Sequence, residues 1–223
     1  MAAATAVASS ESDVEMAARF GLVRYVAPQY PIMALDRGIL DGLVTVAVAW
    51  TDAGIPSDVV VLHTSESTFA SPARDAVLEW RRAPTPGVSE VVRYELRFAR
   101  SGVVVSRNHT LGSRFAEASA EKKEPYRVPL AGDLDRPLKP IAQPMPEFPA
   151  EAKGRFDQAT VVVDFYVDEK GRVRAPIVRE STAPEFSREA LEALQQWRYE
   201  TPRKDGQPAV MSESWAFNFH RST

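Results

Sequence analysis

The feature that most constrains this chain is that it repeats itself. Tyr30-Pro31 is echoed by Phe148-Pro149, and Ala34 by Ala152, at an offset of 118. Gly54, Phe69 and Trp80 recur as Gly171, Phe186 and Trp197 at 117, and the run Val92–Phe98 recurs as Trp215–Phe219 at 121. Chance supplies one such match but not an ordered series whose offset drifts only where loops would be. Between the copies the prolines gather: 7 of the 17 lie from Pro125 to Pro149, behind the charged run Glu117–Glu124. Proline removes a backbone donor and fixes φ, so this stretch is neither helix nor central strand. The reading is a disordered leader over 1–19, a first domain over 20–112, a Pro- and charge-rich linker over 113–137 and a second domain over 138–223.

Both copies carry the same order of elements. A brief helix follows Tyr30-Pro31 or Phe148-Pro149, with the proline at its first position. Next comes a strand whose one face is Val44, Val46, Val48 and Trp50, or Val161, Val163, Phe165 and Val167. A Gly turn at Gly54 or Gly171 leads into a second β-rich run, which makes a hairpin; Pro176 marks part of that run as an edge or a bulge. A helix then shows the stripe Ala73, Ala76, Val77, Trp80, capped by Ser71 with Pro72 behind it, or Ala190, Ala193, Leu194, Trp197, capped by Ser187. The closing strand alternates strictly, with Val92, Tyr94, Leu96 and Phe98 on one face, or Trp215, Phe217 and Phe219. The fold class this predicts is α+β: two tandem small domains, each a three- to four-stranded antiparallel sheet with two helices on one face.

Composition excludes several functions. The 223 residues contain no cysteine, which removes disulfides, thiolate zinc sites, iron–sulfur clusters and a cysteine nucleophile. A net charge of −3, with nine basic against nine acidic residues over 20–112 and twelve against thirteen over 138–223, argues against nucleic acid as a partner. The longest apolar run, Leu43–Trp50, is interrupted by Thr45 and is strand-length, so no transmembrane segment is expected. Ala4-Thr5-Ala6 and Ala6-Val7-Ala8 match small-x-small cleavage patterns, but a plain Ala/Ser-rich leader is the favoured reading.

No catalytic constellation stands out. His63 falls at a strand end, His109 in a loop and His220 after the last strand, without metal-ligand spacing. There is no Gly-x-Ser-x-Gly turn and no Gly-rich phosphate loop. Asp52, Asp168 and Glu169 sit in hairpin turns, where Asp serves local backbone bonding. Arg172, Arg174 and Arg179 cluster on one strand, read as a solvated face rather than an anion site. The expectation is a protein that is not an enzyme, without cofactor or metal.

These residues together resemble the C-terminal domain of the TonB energy-transducer family. The first copy carries Pro28-Gln29-Tyr30-Pro31, Asp41-Gly42-Leu43-Val44-Thr45-Val46, Asp52-Ala53-Gly54 and Trp80-Arg81. The second carries Phe148-Pro149, Val161-Val162-Val163, Asp168-Glu169-Lys170-Gly171-Arg172-Val173, Trp197-Arg198-Tyr199, Pro202 and Lys204-Asp205-Gly206-Gln207-Pro208. It departs by Phe148 in place of tyrosine and by Gln158-Ala159 where an acidic residue and glycine usually stand. The first copy shortens the loop before its last strand to Ala83–Glu90.

The resemblance implies a periplasmic, non-catalytic module that binds a protein or peptide, namely an extended segment of an outer-membrane receptor or other envelope partner. It also implies that the last strand of each copy lies at a sheet edge and receives that segment by β-augmentation. The partner-binding residues would then be Val92, Tyr94, Leu96 and Phe98, with Trp215, Phe217 and Phe219. A transducer of this family needs a membrane-spanning helix and a long Pro-rich spacer, neither of which is expected here; the alternative is the soluble part of an anchored transducer. A structural alternative pairs the two lobes through their edge strands, as a pseudo-dimer, or makes a homodimer.

Overall fold

The computed structural model describes residues 17, 18, 20–99, 102–111 and 127–221. The expected leader, apart from 17 and 18, and residues 113–126 of the expected linker lie outside these.

The first lobe runs β1 (Leu22–Arg24), α1 (Ile32–Asp36), β2 (Asp41–Trp50), β3 (Pro56–Thr64), α2 (Ala70–Leu78), β4 (Arg81–Arg82), β5 (Glu90–Ala99) and β6 (Gly102–Leu111). Its main sheet has the order β3-β2-β5-β6 and is antiparallel throughout, while β1 pairs with β4 as a short ribbon. The second lobe runs β7 (Pro140–Ala142), β8 (Gln158–Val167), β9 (Val173–Ser181), α3 (Pro184–Gln195), β10 (Arg198–Tyr199), β11 (Arg203–Lys204), β12 (Gln207–Pro208) and β13 (Met211–His220). Here the antiparallel order is β13-β8-β9, and the ribbon β7–β10 repeats β1–β4. The architecture is α+β, as the periodicity predicts.

The alternating faces read from the sequence become the cores. Val44, Val46, Val48, Trp50, Val92, Tyr94, Leu96 and Phe98 pack with Ala73, Val77 and Trp80 in one cluster. Val161, Val163, Phe165, Val167, Phe217 and Phe219 pack with Ala190, Leu194 and Trp197 in the other. Both tryptophans are fully buried, and each indole N–H donates to the chain that enters its lobe: Trp80 to the Val26 carbonyl and Trp197 to the Pro144 carbonyl, both at 2.9 Å. The next residue repeats too, since Arg81 Nη1 donates to the Leu78 and Trp80 carbonyls and Arg198 Nη1 to those of Gln195 and Trp197. A buried indole so anchored satisfies its one donor, which is why a tryptophan rather than a phenylalanine ends each helix.

Several local expectations are corrected. Pro31 and Pro149 stand one residue before the helical segment, with extended backbone. The second of these segments is a single 3-10 turn, Ala150–Ala152, so that lobe carries one α-helix. Helix α2 starts at Ala70, directly after a 3-10 turn over Ser67–Phe69, which places Pro72 in its first turn, where a missing N–H costs nothing. Helix α3 starts at Pro184, whose fixed φ suits the first helical position, so Ser187 lies inside it and its hydroxyl bonds that of Ser181. His109 lies in β6 rather than a loop, and His220 ends β13 rather than following it.

The lobes meet through the helix-free faces of their sheets. Ala47 and Ala49 of β2, Val60 and Leu62 of β3 and Val91 of β5 pack with Tyr166, Ala175 and Val210 of the second lobe and with Val128. At the rim Asp58 accepts from Arg174 Nε at 2.9 Å, from Arg174 Nη2, and from the Ala175 N–H at 3.1 Å. Ala175 holds φ at +47°, a left-handed conformation that an L-residue adopts at a cost; its methyl is buried between the lobes. Among the described residues no strand of one lobe pairs with a strand of the other, so the edge-paired pseudo-dimer is not the arrangement found.

Candidate functional site

Each sheet has one face under helices and the other against its neighbour lobe, so edges are where a further chain could join. The expectation for the first lobe needs correcting. β5 is an inner strand, paired with β2 on one side and with β6 on the other. Val92, Tyr94, Leu96 and Phe98 are all buried in the core. The reason is β6 itself, which pairs antiparallel with β5 and occupies the edge that β5 would have offered.

In the second lobe β13 pairs with β8 alone, and no strand among the described residues covers its outer side. Two hydrogen bonds fix which main-chain groups point outward. The Ser212 N–H donates to the Pro129 carbonyl at 2.9 Å, away from β8, whereas the Arg221 N–H donates to the Asp157 carbonyl at 3.0 Å, in line with β8. Main-chain groups alternate sides along an antiparallel strand. Ser214, Ala216 and Asn218 therefore aim their N–H and C=O groups outward. Pro129 already occupies the first position of this row; no other described strand pairs along the rest of it.

Side chains at this edge divide by face. Ser214, Ala216 and Asn218 are small or polar and exposed on the helix-free side. Trp215, Phe217 and Phe219 share the helix side, but only Trp215 reaches solvent, at 39% exposure; the other two are buried in the core. The Trp215 ring stands edge-on to Trp197, with centroids 5.2 Å apart. Of the three residues expected here, Trp215 alone could touch a partner's side chain. Glu213 lies beside it on the same face, and its carboxylate accepts from the Ser214 N–H at 3.1 Å. Near it, Tyr199 accepts from Gln143 Nε2 at 3.0 Å. Burial, with the Glu213 charge adding to it, pushes the Tyr199 hydroxyl up to about 12, against the opposing bond from Gln143.

The alternation of Met211–Phe219 made the inner face legible, but the outward parity of the amides depends on which residue of β8 faces which residue of β13, and no local signal carries that. The arginine cluster is not an open anion site. Arg172 pairs with Asp168 at 2.7 Å, Arg174 with Asp58 and Arg179 with Asp164 at 3.5 Å. Burial works to raise the Asp168 carboxyl, yet the Arg172 guanidinium and the Arg172 and Lys170 N–H groups hold it below its ordinary value. Among the described residues no group of three or more His, Asp or Glu side chains is placed to hold a metal ion.

Comparison with known proteins gives one family. The model of the Gram-negative bacterial TonB protein C-terminal matches residues 26–99 and again residues 144–220. Among solved structures the chain is similar to the solution NMR structure of the Pseudomonas aeruginosa TonB C-terminal domain, with 30% identity over 39% of this chain and 88% of that one, and a TM-score of 0.34. No curated protein sequence matches it.

Proposed function

The chain belongs to the family of Gram-negative bacterial TonB protein C-terminal domains, in both halves, and from that premise we propose that it works by binding, without catalysis, an extended segment of an outer-membrane receptor or envelope partner that adds as a strand to β13. Domains of this family are a periplasmic type of receptor-contacting module, which supports placing the chain in that compartment. Among the described residues no helix is long and apolar enough to cross a membrane.

The observation that carries the reading is the row of outward main-chain groups at Ser214, Ala216 and Asn218, on a strand that pairs with β8 alone among the described residues. Strand addition takes affinity from such groups and specificity from the alternate side chains. In the first lobe the corresponding strand β5 is paired on both sides, with β6 taking the terminal place of the sheet. The reading therefore assigns the receiving role to β13.

Titrating the full chain with a panel of extended receptor peptides should shift the amides of Ser214 to Asn218 while leaving those of β5 in place. Ala216→Pro removes one outward N–H without touching the ladder to β8, so an edge strand should tolerate it; peptide binding should fall at least tenfold. Unchanged amide shifts along β13 across the whole panel would falsify the proposal.

A further inference from the structure

The two lobes act as each other's control at the edge. At the offset of 121 that relates β5 to β13, Val92 and Tyr94 correspond to Glu213 and Trp215. Under the cover of β6 the first pair is fully buried and apolar. At the edge that no described strand covers, the same two positions carry a carboxylate and an indole that reaches solvent. Burial alone does not require this exchange, because Phe217 and Phe219, further along the same face, remain as apolar and buried as Leu96 and Phe98.

Among the described residues the Glu213 carboxylate has no cation in ion-pair contact. No lysine, arginine or histidine among the described residues forms an ion pair with it, and its hydrogen bond is to the Ser214 N–H. That N–H is one of the outward donors that an added strand would take. Strand addition therefore removes the carboxylate's donor and leaves it at the rim of the new pair, next to the Trp215 ring. A carboxylate and an indole side by side on one face suit a cation: the carboxylate supplies charge and the indole a π-face.

We propose that Glu213 and Trp215 form a recognition subsite for a basic side chain, lysine or arginine, on the helix-side face of the strand that β13 receives. The inference rests on the strand-addition reading above and names its ligand more closely: an extended segment with a cation opposite Trp215, small or polar residues on the alternate face and no acidic residue at the cation's position. The cation replaces the Ser214 N–H as the partner of Glu213. A residue opposite Trp215 stands diagonal to Glu213, with Cβ atoms about 7 Å apart, a distance that the long side chain of lysine or arginine spans. Without such a cation, strand addition leaves the carboxylate to water alone, and Glu213 then disfavours the strand instead of selecting it.

The test uses the full chain and three short alternating valine–threonine peptides that differ only at the central helix-side position, which is lysine, norleucine or glutamate. Calorimetry on the unaltered protein should give the lysine peptide a dissociation constant about fivefold below that of the norleucine peptide, with the glutamate peptide weakest. In Glu213→Gln, which keeps the shape and the acceptor but not the charge, the lysine and norleucine peptides should bind alike; Trp215→Leu should reduce the preference without abolishing it. Equal binding of lysine and norleucine peptides to the unaltered protein overturns the inference and leaves strand addition standing. A lysine preference that survives in Glu213→Gln also overturns it, because the attraction is then to the protein's overall negative charge. If none of the three peptides binds, strand addition itself fails and the inference with it.

Discussion

Gly171 has a φ of +70°, and a Cβ built on it would lie 1.8 Å from the Tyr199 carbonyl oxygen; Gly54, at +76°, would meet the Arg82 carbonyl oxygen at 2.2 Å. At these hairpins the following segment lies directly on the turn, with the Tyr199 N–H donating to the Gly171 carbonyl at 2.8 Å and the Arg82 N–H to that of Gly54 at 2.9 Å. Gly154 also has positive φ, +82°, but nothing lies within 4 Å of its Cβ position. Gly154→Ala should therefore cost only the left-handed backbone, about 1 kcal/mol. Gly171→Ala must also push the β10 segment off the turn and should cost upwards of about 3 kcal/mol, as disruptive core changes do. Urea unfolding of the two variants measures the difference, and equal midpoints would contradict the close approach. The repeated glycines and tryptophans were legible because their spacing recurs. What they contact was not, since it depends on carbonyls 28 residues away.

Strand β6 shows where reading a sequence by pattern stops. Gly102–Leu111, GVVVSRNHTL, begins as an apolar run but ends in Ser-Arg-Asn-His-Thr without alternation, so it has neither the one-sided pattern of β5 nor a helical stripe. Its place comes from the main-chain partners of β5, which any side chain can satisfy. β13 has the opposite character: its pattern is strong, and on its outer side no strand among the described residues pairs with it. This contrast should be visible in amide exchange. Throughout β5, from Val91 to Phe98, the amides are bonded to one neighbour or the other and should exchange slowly. In β13 the amides of Trp215, Phe217 and Phe219 should be protected while those of Ala216 and Asn218, which face out, exchange at least a hundredfold faster, because protection follows the bonded partner. Uniform protection along β13 would mean that its outer edge is covered, and the receiving site would have to be sought elsewhere.

Taken as a whole, the molecule spends both faces of each sheet on its own packing, with helices on one side and the other lobe on the opposite side, and this leaves partners the edges. Nothing local in the sequence announces the contact between lobes, because its rim joins Asp58 to Arg174 and Ala175, 116 and 117 residues apart. Asp58 nevertheless gathers three donors, with a fourth bond from Arg174 Nη2 to the Val59 carbonyl at 3.2 Å. Charge-assisted bonds at a partly buried site are worth more than surface ion pairs, and losing the acceptor leaves the Ala175 N–H without its partner while that residue still bears its left-handed backbone. Asp58→Ala should therefore destabilise the joined state by about 2 kcal/mol, although each lobe keeps its own core. The expected consequence is loss of cooperativity: calorimetric unfolding should separate into two transitions, one per lobe, where the unaltered chain should unfold in one. The Asp58→Ala chain should still bind peptide at β13, because Asp58 lies on β3 of the other lobe and its partners lie on β9, with β8 between them and that edge. A single transition at an unchanged temperature would show that the apolar contact of Ala47, Val60, Leu62 and Tyr166 alone couples the lobes. Loss of peptide binding would instead show that the receiving edge depends on how the lobes are held together.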